Sequence, residues 1–289
     1  MIQKIGACIF AFLLLAASPT ARAETVKQNP QTEVKAFFLN VGKADAALFS
    51  LNGKWFLVDT GTKDSADTMM SVLEDYGVTQ LDGILITHTD KDHVGGLKPL
   101  LKSGMPVAML YAPTYSVDSV EDHPVWTAAE KYGVPFRWLN AGDTVTVDDS
   151  VSFIVLGPIS RDAENENNNS LVLRLKTPQG DMLLAGDMEL PEETELLAAG
   201  VIQPAAVLKV GHHGADDASG EPFLYTVKPQ IAVISTDPEE DDRTPDPKVI
   251  RRLWNIGAEV FSTYQASCCV EVTLRDGNAV GRLVNGSAR

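Results

Sequence analysis

Cysteine is nearly absent from this chain: there are three in 289 residues, and Cys8 lies inside the first apolar segment. That excludes a disulfide framework and a cysteine-rich metal site. Cys268 and Cys269 are neighbours. An ordinary disulfide between adjacent residues is strained, so the expectation is a strand with its two thiols on opposite faces, with a vicinal disulfide in an oxidising compartment as the alternative. Positive charge is also short. Lys and Arg number 24 against 39 Asp and Glu, for a formal net charge of −15. Such a surface repels polyanions and disfavours nucleic acid as a partner. No apolar run reaches the roughly 20 residues that a membrane span needs. No repeat of 20 to 50 residues and no low-complexity tract is evident.

The longest apolar run, residues 5–17, follows Lys4 and is broken by Pro19; Ala21-Arg22-Ala23 then precedes Glu24. That order of basic, apolar and small-residue segments reads as a cleaved secretory signal over residues 1–23. Export to the periplasm or outside the cell follows, with no membrane contact after cleavage. Residues 24–33 read as a polar lead-in and 34–289 as one domain. With 44% hydrophobic and 22% charged residues, the chain can build a sizeable core.

Strands are expected at 34–40, 46–51 and 54–59, with Asn52-Gly53 as a hairpin turn. A helix at 64–76 ends at Gly77. Strand 81–87, helix 94–102, strand 107–111 and helix 124–132 follow. Further on, strands are expected at 144–147, 151–156, 170–176, 181–185, 206–210, 231–235, 259–262, 268–274 and 279–284, and helices at 191–199 and 247–254. Two strand groups that mix hairpins with β-α units are best buried as two sheets face to face with helices outside, an α/β architecture.

The residues that carry chemistry stand where apolar strands end. Ile84-Leu85-Ile86-Thr87 runs into His88-Thr89-Asp90-Lys91-Asp92-His93 and then Gly95-Gly96. Packing gains nothing from four ionisable groups at the end of a buried strand, whereas His and Asp are ligands for a hydrolytic divalent metal. Asp59 follows Phe56-Leu57-Val58, Asp187 follows Leu183-Leu184-Ala185-Gly186, and His212-His213-Gly214 follows Lys209-Val210-Gly211. Strand ends on one rim are rigid platforms for a site. His123, before Pro124, reads as an exposed loop histidine.

With the opening Leu39-Asn40-Val41-Gly42-Lys43-Ala44-Asp45 and Asn167-Asn168-Asn169-Ser170 added to these motifs, the chain resembles the metallo-β-lactamase superfamily, in its ComEC-type secreted branch. The resemblance covers essentially residues 34–289 and implies the αββα four-layer sandwich. It implies that His88 and Asp90 hold one metal, Asp92 and His93 a second, and Asp187 bridges them. One of His212 and His213 completes the second site. The spacing does not separate them; His212, nearer the strand, is favoured. Asp59 would fix the ligand loop, Asp45 would lie near the metals, and Asn168 and Asn169 would support the ligands. Asp92 and Asp187 would be catalytic, with Lys43 contacting a substrate anion.

Departures from the branch matter. No histidine occurs between His123 and His212, and Asp90 stands where the superfamily usually has histidine. An oxygen-rich site favours harder ions, so one or two divalent ions are expected, zinc or manganese. Ala215-Asp216-Asp217 replaces the usual Ser-Lys, and Thr244-Pro245-Asp246-Pro247 replaces His-Pro-His-Pro. These exchanges weaken the case for DNA. The resulting expectation is a secreted hydrolase acting on a small-molecule or phosphodiester substrate. A carboxylic ester, lactone or β-lactam hydrolase and a non-catalytic metal-binding or scaffold protein are the alternatives. Nothing in the sequence indicates an oligomeric state.

Overall fold

The period of two along the strands decides which residue goes to which layer. The computed structural model describes residues 34–117 and 119–286. The expected signal segment and lead-in lie outside the described residues. In chain order the first half runs β1 (Val34–Leu39), β2 (Ala47–Leu51), β3 (Lys54–Val58), α1 (Ala66–Asp75), β4 (Gly83–Leu85), α2 (Lys91–Val94) and α3 (Leu97–Lys102). It continues with β5 (Leu110–Pro113), α4 (Pro124–Tyr132) and β6 (Phe136–Leu139). The second half runs β7 (Thr144–Thr146), β8 (Ser152–Gly157), β9 (Val172–Lys176), β10 (Met182–Leu184), α5 (Leu190–Ala198) and β11 (Val207–Lys209). Then come α6 (Glu221–Val227), β12 (Ile231–Ile234), α7 (Pro247–Asn255), β13 (Glu259–Ser262), β14 (Cys269–Arg275) and β15 (Asn278–Val284).

One sheet has the order β15-β14-β1-β2-β3-β4-β5-β6 and the other β13-β12-β11-β10-β9-β8-β7. Alternate residues of each strand meet between the sheets: Phe38, Phe49, Phe56 and Val272 from the first, Phe153, Leu173, Met182 and Val233 from the second. The intervening residues face outward. Leu39, Leu57 and Ile84 pack under Met69, Leu100 and Ala128 of α1, α3 and α4. Leu183, Leu208 and Ile234 pack under Leu196, Phe223 and Leu253 of α5, α6 and α7. This is the four-layer αββα sandwich. Within each sheet the parallel runs, β3 to β6 and β10 to β13, deliver their C-terminal ends to one rim.

Local differences from the sequence reading have physical causes. The expected helix 94–102 is split into α2 and α3 at Gly95-Gly96. A Cβ on Gly96 would run into the Thr60 carbonyl, and one on Gly95 would lie 2.6 Å from the Lys63 amide, so the pair lets the β3 exit loop press against the ligand loop. Strand 107–111 shifts to β5, with only an isolated bridge between Leu81 and Val107. The short β6 and α6 carry little periodicity and escape a sequence reading. His123 is not exposed: it is 2% accessible and stands edge-on to Trp138, ring centroids 4.9 Å apart. Cys268 and Cys269 do not face opposite sides. Cys268 precedes β14, and both free thiols pack in the outer, helix-covered layer.

The outer layer of the second sheet holds a pH-sensitive group. Burial pushes the Glu193 carboxyl up to about 7, against amide donors from Gly220 and Ser219. Between its ordinary value of 4.5 and about 7 the folded chain keeps a proton that the unfolded chain has released. Stability from this group is therefore full below about pH 4.5 and falls as pH rises toward 7, by up to about 3 kcal/mol. Urea unfolding at pH 5 and 7.5 should show this decline in wild type and a flatter profile in Glu193→Gln. Parallel profiles would refute it.

Candidate metal centre

Loops from both sheets meet at the shared rim. Asp59 ends β3 with a positive φ of 58°. Its Oδ1 accepts from the Thr87 amide at 2.7 Å and its Oδ2 from the Thr87 hydroxyl at 2.8 Å. His93 Nδ1 also donates to Asp59 Oδ2, at 2.8 Å, which turns Nε2 inward. Backbone bonds from Thr60 N to His93 O (2.7 Å) and from Asp45 N to Asp92 O (3.0 Å) lock the same loop to its neighbours. His88 Nδ1 rests against the hydroxyls of Thr87 (3.1 Å) and Ser170 (3.3 Å), leaving its Nε2 inward as well.

The second sheet supplies Asp187 after β10 and the histidine pair after β11. Asp187 N donates to Ser170 Oγ at 3.0 Å. His213 has a φ of 52° and donates from Nδ1 to the Ser235 carbonyl at 2.8 Å, so its Nε2 is the free nitrogen. That nitrogen lies 3.3 Å from Asp92 Oδ2 and 3.2 Å from Asp187 Oδ2; His93 Nε2 also lies 3.2 Å from Asp187 Oδ2. His88, His93 and Asp187 form one group of ligand atoms within reach of one ion, and Asp92, His93 and His213 form another.

Electrostatics fit a cation here. Burial, helped by His93, lowers the His88 pKa to about 3 and keeps its imidazole neutral. Burial works against charge on His93 and His213, yet Asp187 and the other acids overcome it, raising His213 to about 9 and His93 well above its usual value. Burial would raise Asp45, but Lys209, His213 and His93 outweigh it and lower it. The test of fit is the set of buried atoms without hydrogen-bond partners. His88 Nε2, His93 Nε2, His213 Nε2, Asp187 Oδ1 and Asp45 Oδ1 all converge on this rim. Orphaned buried acceptors are costly unless something binds them, and imidazole nitrogens with carboxylate oxygens are the donor set of a divalent ion.

The sequence-designated residues divide. His88, Asp92, His93, Asp187 and His213 come together, with Asp59 behind His93 and Asp45 beneath. His212, the favoured member of the pair, does not join them: its Nδ1 bonds Asp217 at 2.8 Å and approaches Glu189 at 3.8 Å, a separate and more exposed group. Asp90 is half exposed and reaches only to 3.8 Å from His88 Nε2. Asn168 and Asn169 turn toward Asp162 and Glu166, and it is Ser170 that touches His88 and Asp187. Lys43 Nζ stands 3.5 Å from Asp92 Oδ2, at a cleft of about 650 Å³ lined also by His212, Asp217, Asp241 and Arg243. Sequence reasoning missed the roles of Lys209, which meets Asp45 at 2.7 Å, and of Ser170 and Ser235. A charged residue inside the apolar run Val207-Leu208-Lys209-Val210 was the available signal for Lys209. His213→Ala is expected to weaken metal binding by more than about 100-fold, while His212→Ala leaves metal content unchanged; metal analysis of the dialysed proteins separates them.

The matches to known proteins agree with this geometry. The family model of the metallo-beta-lactamase superfamily matches residues 39–237. ComE operon protein 3 of Bacillus subtilis is 35% identical over 189 residues, 65% of this chain and 24% of its own length. Competence protein ComA of Neisseria gonorrhoeae is 28% identical over 263 residues, 90% of this chain and 35% of its own length. The chain thus spans about a quarter to a third of these relatives. Among solved structures, the metallo-beta-lactamase fold protein YhfI of Bacillus subtilis superposes with a TM-score of 0.57 at 12% identity, covering 84% of this chain and 100% of its own. A diphosphatase of the PhnP family does so at 0.52 and 13%, covering 84% and 98%. These likenesses to solved structures establish the fold, and the family model establishes the family: the chain belongs to the metallo-β-lactamase superfamily, most of whose members are metal-dependent hydrolases.

Proposed function

We propose that this chain is an exported phosphodiesterase that uses one or two divalent ions, zinc or manganese, held by His88, Asp92, His93, Asp187 and His213. Asp90 joins the His88 side by a turn of its half-exposed side chain. The observation that carries the reading is the convergence of buried, partnerless imidazole nitrogens and carboxylate oxygens on one rim. When bound, such an ion makes water acidic enough to supply a nucleophile near neutral pH and screens charge on the oxygens it faces.

The chain's own residues do the rest. Lys43, at the open side of the cluster, attracts a phosphodiester oxygen into the cleft. Asp187 Oδ1, buried and without a partner, orients the attacking water by accepting a hydrogen bond from it. Asp59 and the Ser235 carbonyl hold the His93 and His213 rings so that each presents Nε2 to the cluster. His212, fixed by Asp217, lines the wall of the same cleft.

The net charge of −15 and the acids at 216, 217, 241 and 246 favour a small phosphodiester over a polyanion. Among the described residues no helix is long and apolar enough to cross a membrane. Nitrophenol release from bis-p-nitrophenyl phosphate, supported by zinc, manganese or cobalt and abolished in Asp92→Ala, is the expected result. A panel of lactones, carboxylic esters and β-lactams run beside it distinguishes the ester-hydrolase alternative. No turnover of the phosphodiester with any of the three metals would sink the proposal.

A further inference from the structure

We infer that Glu166 is a positioning residue that sets the His88–Asp90 side of the centre and leaves the Asp92–His93–His213 side alone; the inference rests on the metal-dependent reading above. Glu166 opens the short turn Glu166–Asn169 and is only 7% accessible. Its Oε1 accepts from the Thr89 amide (3.2 Å), the Thr89 hydroxyl (2.7 Å) and the Ser116 hydroxyl (2.8 Å). Its Oε2 accepts from the Val117 amide (2.7 Å) and the Asn169 side-chain amide (3.2 Å). No lysine or arginine is among these donors. A buried carboxylate held wholly by neutral N–H and O–H groups is costly to desolvate, and it forms stronger, charge-assisted bonds to each of them.

What those bonds fix is specific. Thr89 stands between His88 and Asp90, and Glu166 holds both its backbone and its side chain. The Asp90 carboxylate is half exposed, so its placement depends on the peptide that Glu166 grips. The other side has separate supports, with Asp59 behind His93 and the Ser235 carbonyl behind His213. Glu166 also ties Ser116 and Val117, whose carbonyls receive Arg161, to the same point. One carboxylate therefore joins a ligand loop of the first sheet to the segment before β9 in the second.

The two sides should respond differently when Glu166 changes. Glu166→Ala leaves its donors facing a void. Glu166→Gln keeps the volume but sets an amide N–H against the backbone N–H of either Thr89 or Val117, whichever way it is turned. The experiment uses the whole chain, stripped of metal and then titrated with Mn²⁺ or Zn²⁺ against a chromophoric chelator. Metal content after dialysis and thermal unfolding of the metal-free proteins are measured in parallel. Glu166→Ala should weaken one ion about 10- to 100-fold and Glu166→Gln should weaken it less. The remaining ion should stay within about threefold, while the metal-free protein still unfolds cooperatively at a lowered melting temperature, because the orphaned donors cost stability whether or not metal is present. The ion affected should be the one that His88→Ala loses, with no further loss in the double variant. Equal weakening of both ions, an effect that persists undiminished in His88→Ala, or no effect at all overturns the inference and leaves the metal-dependent reading standing. A wild type that binds a single ion overturns the inference alone, and one that binds neither overturns both.

Discussion

Asp187→Asn is expected to lower kcat on bis-p-nitrophenyl phosphate at least about 1,000-fold, equivalent to about 4 kcal/mol of transition-state stabilisation. Asp187 is the side chain approached by both His93 Nε2 and His213 Nε2, each at 3.2 Å, and its other oxygen is buried without a partner. The amide keeps the shape and one acceptor but removes the charge. It also places N–H hydrogens where a cation or an acidic water proton belongs. Burial would raise the Asp187 pKa, yet His213 and His93 hold it well below the ordinary value, so the ionised form is the native one. Two measurements check the prediction: kcat and KM at saturating metal, and ions per chain after dialysis. Loss in kcat together with loss of metal fits the geometry. A drop of less than tenfold with full metal content would remove Asp187 from the centre.

Removing metal is expected to have a comparably large effect on stability. A ligand that binds only the folded state at 1,000 times its Kd contributes about 4 kcal/mol. For a domain of this size each kcal/mol moves Tm by about 2–4 °C. Chelation should therefore lower Tm by roughly 8–16 °C, and activity should vanish with it. The physical source is the set of orphaned acceptors. Without an ion, His88 Nε2 and Asp187 Oδ1 remain buried and unsatisfied. The control is His213→Ala, in which the difference between loaded and stripped protein should shrink. A scan that is identical with and without chelator, on protein shown to be stripped, would show that the cluster holds no ion.

How far the sequence could be read depended on whether a feature was local. The strand ends were legible because an apolar run followed by Asp or His beside Gly is a contiguous signal. Ile84-Leu85-Ile86 before His88 and Leu183-Leu184-Ala185 before Asp187 are the plainest cases. The sandwich followed from two strand groups that mix hairpins with β-α units, and the structure divides the alternating residues of β1 between layers, Val34, Ala36 and Phe38 against Phe37 and Leu39. The choice between His212 and His213 was not legible because it turns on backbone dihedrals. Both residues sit at positive φ, and that bend carries the second ring inward while the first swings toward Asp217. Lys209 and Glu166 were missed because their partners lie far along the chain, Asp45 for one and Thr89 and Ser116 for the other. His123 looked like a loop residue because Trp138, which covers it, belongs to a strand too short to be read beforehand.

Neither sheet owns a whole ligand set. His88, Asp92 and His93 hang from the first, Asp187 and His213 from the second, and the halves are joined inside by rings such as Phe49 against Phe153. The full ligand set exists only once those rings have met. Dissolved metal is therefore expected to slow the parting of the halves more than it hastens their first encounter.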